Sequence, residues 1–141
     1  MPSLRTAMNA SASALDVQRA RIEVAVSNLA NAESTTTVNG GPYRRREVVL
    51  EAIRSGGTGP NSTGAFGVQV AAIVEDQSPF QRRFDPSNPQ ADSTGHIDLP
   101  NVDVPTEMVD MLGAARAYQA NLAAISLIRE TVQRALEIGR G

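Results

Sequence analysis

Hydrophobic positions recur with a helical period at both ends of the chain and with a period of two in the middle. From Leu4 to Leu29 there is neither Pro nor Gly, and Met8, Leu15, Ile22 and Leu29 recur at every seventh position. Ala12, Ala25 and Val26 widen that stripe, while Arg5, Asp16, Arg19, Arg21 and Glu23 fill the polar face. The spacing predicts an amphipathic helix with a narrow, small-residue seam. The C-terminal pattern is stronger. Met108, Met111, Ala115, Tyr118, Leu122, Ile125, Arg129, Val132 and Leu136 alternate spacings of three and four, a heptad seam broken only by Arg129. Asp103 is placed to cap this helix, Pro105 suits its first turn and Gly139 its end. Glu130 and Arg134 form an i,i+4 pair in the favourable order.

The middle, about 43–100, reads as short strands and loops. Glu47–Ile53 is rich in β-branched residues, and Phe66, Val68 and Val70 alternate, with Ala72 and Val74 continuing that face. Ser78–Phe84 is expected as an edge strand because of Pro79, with Phe80 and Phe84 on one side; Gly95–Leu99 is a fourth candidate. Ser55–Gly64 is a glycine-rich loop, and Asp85–Pro89 a turn cluster. The fold class is therefore α+β. A helical N-terminal segment (1–37) and a helical C-terminal segment (101–141) pair as a coiled-coil-like layer around a small β-rich middle (38–100). All three Phe lie in the middle, which is expected to hold the aromatic core. Two helices with such narrow stripes bury little, so they either pack on their own middle segment or complete their burial against other chains.

Composition removes most catalytic chemistry. The chain has 141 residues, no Cys, one His and a net charge of −2. Cys nucleophiles, thiolate metal sites and disulfides are excluded, as are His triads and multi-His metal centres. All the cations are Arg, which removes Lys nucleophiles and the P-loop Lys. The near-neutral charge argues against a nucleic-acid binder. No apolar run is long enough for a signal peptide or a membrane span. The glycine-rich loop lacks the GK[ST] ending of a phosphate loop. His96 near Asp92, Asp98 and Asp103 reads as a surface His among solvated carboxylates rather than a metal site. No carboxylate pair or nucleophile motif marks an active site. No catalytic residue, cofactor, metal or small-molecule substrate is expected. Arg44, Arg45 and Arg46 form the one charge run; in an extended segment Arg45 faces away from the other two. Solvated strand start or intersubunit salt bridges are the favoured readings for it. Asn28 and Asn31 share a helix face within Ser27–Ala32, and by physics alone they are either plain caps or contacts to a neighbour.

SNLANAEST (Ser27–Thr35), preceded by DVQRARIEVAV, resembles the signature of flagellar rod and hook-type axial proteins. Gly40–Ala52, Asp85–Leu112, Ala115–Ile125 and Ala135–Gly139 narrow the resemblance to the proximal rod, and it runs almost end to end. His96 stands where the family commonly has Tyr, Pro105 interrupts a helix start that is usually Pro-free, and the N-terminus lacks a common Phe. The resemblance implies a structural subunit of the basal-body rod, assembled head to tail into a shaft that transmits torque and encloses the export channel. It implies partners: further copies, the proximal and distal rod subunits, the junction protein at the MS ring, and the flagellar type III export apparatus. It implies a location in the basal body, outside the cytoplasmic membrane and periplasmic where an outer membrane exists. The assembly interface expected from it comprises Met8, Leu15, Ile22, Asn28, Leu29 and Asn31 with Met108, Met111, Tyr118, Leu122, Ile125, Arg129, Val132 and Leu136. Arg129 is expected to pair with a neighbour's carboxylate. A soluble coiled-coil adaptor or export accessory is the alternative class; it would not need the Asn signature together with the paired heptads.

Overall fold

A computed structural model of the chain describes residues 2–55 and 65–140. Its frame is an antiparallel pair of helices, α1 (Pro2–Ala30) and α2 (Val104–Ile138). Asp103 caps α2 by accepting from the backbone N–H of Thr106 at 3.2 Å, and Pro105 lies in the first turn, where its missing donor is harmless. At the other end Gly139 has φ −77°, so this stop does not use the left-handed conformation that favours glycine. Glu130 and Arg134 are paired at 2.5 Å as the sequence indicates.

The face that α2 buries is offset from the expected seam. Glu107 and Ala114 are buried and Asn121 and Ile128 half-buried, whereas their neighbours Met108, Leu122 and Arg129 are exposed. Met111, Tyr118 and Ile125 belong to both lines and are half-buried. Every second position of the seam thus moves back by one residue, and Ile128 takes the place assigned to Arg129. Val132 and Leu136 are exposed. On α1 the buried residues are Val17, Ala25 and Asn28, with Leu15, Ile22 and Leu29 half-buried at the margin and Met8 exposed.

The middle forms two separate two-stranded antiparallel sheets. Strands β1 (Arg46–Ser55) and β2 (Ala65–Glu75) make a long hairpin that packs along α1. The Ser13 hydroxyl accepts from the backbone N–H of Val68 at 3.2 Å, and a Cβ on Gly67 would lie 3.2 Å from that hydroxyl oxygen. Val49 pairs with Ala72 and Leu50 with Val70, so Ala71 is an extra residue and a bulge. The expected single face from Val68 to Val74 therefore breaks, and Ala72 and Val74 are exposed. The glycine-rich loop and the side chain of Phe66 lie outside the described residues.

Strands β3 (Gln81–Phe84) and β4 (His96–Leu99) form the second sheet. Pro79 and Phe80 precede β3 instead of sitting in it. Phe84 is 65% exposed and meets His96 edge to face, and Phe80 is half-buried. Among the described side chains the buried aromatic ring is Tyr43, at 7% exposure, next to the arginine run.

Gly95 has φ +77°, and a Cβ there would meet Phe84 Cε2 at 2.9 Å. Gly95→Ala is expected to destabilise by about 1–3 kcal/mol, read as a lower urea midpoint at unchanged slope. Asp92 closes the adjoining turn. The Thr94 hydroxyl and the backbone N–H of His96, donating at 2.6 and 3.0 Å, hold its carboxyl far below the usual carboxylate range, helped by Arg82. A depressed carboxyl stabilises the fold above its unfolded value, about pH 4, and loses that contribution as pH falls further. Asp92→Asn is therefore expected to flatten the acid limb of a stability–pH profile below about pH 4. An unchanged limb would show that the turn contributes nothing to acid stability.

Candidate functional site

The element that organises the molecule is a polar cluster at the closed end of the helix pair. Asn28 lies in the last turn of α1 and is fully buried. An amide of this kind has two donors and two acceptor sites. Its Nδ2 donates to the Arg46 carbonyl at 2.9 Å and to Glu107 Oε2 at 3.0 Å, and its Oδ1 accepts from Tyr43 OH at 3.0 Å and from the Arg46 N–H at 2.9 Å. One side chain thus joins α1 to β1, to α2 and to the connecting loop.

Glu107 in α2 is 2% exposed, and its other oxygen accepts from Arg45 Nε at 2.5 Å. A buried carboxylate is tolerable only when paired and hydrogen-bonded. Arg45 also pairs with Glu47 and approaches Asp76 at 3.6 Å and Asp110 at 3.9 Å. Burial draws its guanidinium pKa down, but the bonds to Glu107 and Glu47 outweigh this and the net shift is upward. Asn101 completes the cluster. Its Oδ1 accepts from the Arg45 N–H at 2.8 Å, and its Nδ2 donates to the carbonyls of Asp76 and Ser78. The three arginines divide as the extended geometry predicts. Arg45 turns inward, whereas Arg44 lies over the Phe80 ring and donates to Asp76 and Ser78 carbonyls, and Arg46 lies 5.7 Å from the Tyr43 ring.

Two expectations change here. Arg44 and Arg45 bond within the chain itself, rather than standing solvated or free for a neighbour's carboxylate, while Arg46 is exposed. Asn28 has no polar atom left for an adjacent subunit, and Asn31 is also engaged locally, donating to the Ser27 carbonyl at 2.9 Å and accepting from Ser34. Tyr43, Asn101 and Glu107 were missed by sequence reasoning. The signal that was present is the alternation that sets Arg45 on the face opposite Arg44 and Arg46.

The remaining seam residues fall on the open surface. Leu4, Met8, Ile128, Val132 and Leu136 line an apolar trough of about 500 Å³ between the start of α1 and the end of α2, with Arg5 and Arg129 at its margin. Arg129 is exposed, so it is not an uncompensated buried charge. The face of α2 turned away from α1 carries Val109 at 68%, Leu112 at 53% and Leu127 at 65% exposure. A monomer whose longest helix is apolar on two sides has a surface shaped for other protein. Among the described residues no group of His, Asp or Glu is placed to hold a metal, and no helix is long and apolar enough to cross a membrane.

Residues 93–138 match the family described as Flagellar basal body rod FlgEFG protein C-terminal. The chain is 41% identical to the flagellar basal-body rod protein FlgC of Salmonella typhimurium, covering 91% of this chain and 92% of that one. It is 41% identical to the FlgC of Bacillus subtilis, covering 94% and 96%, and 38% identical to that of Borreliella burgdorferi, covering 98% and 99%.

Proposed function

Because this chain belongs to the FlgC family of flagellar basal-body rod proteins, we propose that it builds the proximal part of the rod, packing its helix pair head to tail against neighbouring subunits. Its class is structural and its place is the flagellar basal body, among other rod components. The observation that carries the packing reading is the second apolar face of α2. Val109, Leu112 and Leu127 have no cover in the free chain, and heterologous contacts would bury them. The clamp around Asn28 supports the same reading, because it makes a rigid base from which the two helices project. Met8, Leu15, Ile22 and Leu29, with Met108, Leu122, Val132 and Leu136, supply further contacts between subunits. In this reading the subunits transmit torque and enclose the export channel, and neighbours include other proximal and distal rod subunits and the MS-ring junction protein. The chain reaches its place through the flagellar export apparatus, and its cysteine-free composition suits passage as an unfolded thread.

The test is to isolate intact hook–basal bodies from the source organism and probe them for this chain. Its presence as an integral component supports the rod reading. Its absence, with the protein remaining soluble in the cell, overturns it.

A further inference from the structure

The loop from α1 to β1 carries a dipeptide that the clamp does not use. Asn39 is followed by Gly40, the one Asn–Gly pair in the chain. Both residues are exposed, in a tight turn where the Gly40 N–H donates to the Thr37 carbonyl at 2.9 Å and the Thr37 N–H to the Gly41 carbonyl at 2.9 Å. Gly40 has φ +81°, and a Cβ there would meet nothing within 4 Å, so nothing crowds the backbone on that side. Val38 is fully exposed and packs on nothing, so little besides the turn bonds holds this segment closed. Other asparagines are held differently. Asn28 is buried with its amide saturated, and Asn31, Asn101 and Asn121 donate theirs to backbone carbonyls. Each of these four is followed by a residue with a side chain. Among the described residues the Asn39 amide makes no hydrogen bond. Asn39 also lines a cavity of about 290 Å³ together with Arg44, Arg46 and Glu75. Two guanidiniums against one carboxylate leave that lining net positive.

We infer that Asn39 is a site of spontaneous covalent modification, at which its side-chain amide is exchanged for a carboxylate in the cavity that Arg44 and Arg46 line. The turn bond to Thr37 opens, the Gly40 amide nitrogen gives its proton to water, and that nitrogen attacks Asn39 Cγ. The new C–N bond closes a cyclic imide, the Cγ–Nδ2 bond breaks, and the amide takes up a proton and leaves as ammonia. Water then opens the imide on one of two sides. Breaking the Cγ–N bond gives aspartate in an unaltered main chain. Breaking the bond to the main-chain carbonyl gives isoaspartate, with the chain one atom longer. Nothing is oxidised or reduced, and water is the one reactant added. The setting favours the reaction at two points. Gly40 has no side chain to hinder the attack, and the neighbouring cations stabilise both the ionised nitrogen and the carboxylate that results. Aspartate neutralises the excess positive charge of the lining. Isoaspartate adds an atom between Thr37 and Gly41, whose hydrogen bond closes the turn. The inference needs no partner and does not rest on the rod reading.

The experiment incubates the purified full-length chain, folded, in mildly alkaline buffer and follows it by tryptic mapping with fragmentation that separates aspartate from isoaspartate. Residues 22–44 leave as one tryptic peptide, which holds Asn28, Asn31 and Asn39 together. The expected result is a gain of the amide-to-acid mass difference that grows with time at Asn39, in both product forms, while Asn28 and Asn31 stay unconverted. Asn39→Gln, whose longer side chain would have to close a larger ring, is expected to lose the signal. An Asn39 that keeps its amide, equal conversion at Asn28 or Asn31, or a mass gain that survives Asn39→Gln each overturn the inference. A second measurement uses Asn39→Asp, which carries the aspartate product from the start. Its thermal midpoint is expected to be no lower than the parent's; a lower one overturns the place given to Arg44 and Arg46.

Discussion

Glu107→Ala is expected to lower the stability of the free chain by about 3–5 kcal/mol, the usual consequence of removing one partner from a buried ion pair. Two groups lose their acceptor at once. The Arg45 side chain, only 19% exposed, loses its closest buried carboxylate, and one Asn28 donor is left facing a cavity. Arg45 keeps its pair with Glu47, but that carboxylate is 51% exposed, and the contacts to Asp76 and Asp110, at 3.6 and 3.9 Å, are too long to take over. Thermal melts followed by circular dichroism read the loss as a fall in midpoint of roughly 10 °C. Asn28→Ala is expected to fall in the same range, because four hydrogen bonds end on that amide. Replacing Asn28, Arg45 and Glu107 together by apolar residues of similar volume should recover much of the loss, since no buried charge then remains. A Glu107→Ala protein that melts within about 1 kcal/mol of the parent would show that the cluster is ornamental.

Leu127→Asp is expected to do the opposite: leave the free chain intact and remove motility. Leu127 is 65% exposed on the face of α2 turned away from α1, so the monomer changes by no more than about 0.5 kcal/mol. In an assembled rod the same position is buried under the proposed function, and an unpaired carboxylate there is costly. The separation is measured by pairing a urea melt of the purified chain with swimming in soft agar and the subunit content of basal bodies. Normal swimming would remove this face of α2 from the assembly surface. A large loss of monomer stability would place Leu127 in the chain's own core.

Much of the architecture was legible in the sequence because punctuation is local. Asp103, Pro105 and Gly139 bound α2 within a residue, and the runs Glu47–Ile53 and Phe66–Val74 became the long hairpin. The details that failed are set by tertiary contacts. In α1 the large residues at every seventh position mark a margin, because an Ala-rich helix lets its partner approach along Val17 and Ala25, where no large side chain announces a seam. In α2 the expected line runs through Met108 and Leu122, but burial follows Glu107 and Asn121. A polar residue is assigned to solvent by any hydropathy pattern, so a seam anchored on Glu107 and Asn28 is displaced by one residue at each alternate position. The bulge at Ala71 has no composition signal and undoes the alternation of β2. At the open end Met8, Val132 and Leu136 are apolar and exposed in the single chain.

The position of the clamp has a mechanical corollary. It grips α2 near its first turn and α1 near its last, so most of both helices extends from it as a lever of about 45 Å. An angular looseness of roughly 5° at Asn28 would displace the far tips by about 4 Å, nearly one turn of helix. Saturating every donor and acceptor of a single buried amide is a way to remove that play at the fulcrum, where it would be magnified most. Stiffness in a rod made of such parts would then depend on the hydrogen-bond geometry of one asparagine as well as on the seam that packs the helices along Val17, Ala25 and Ala114.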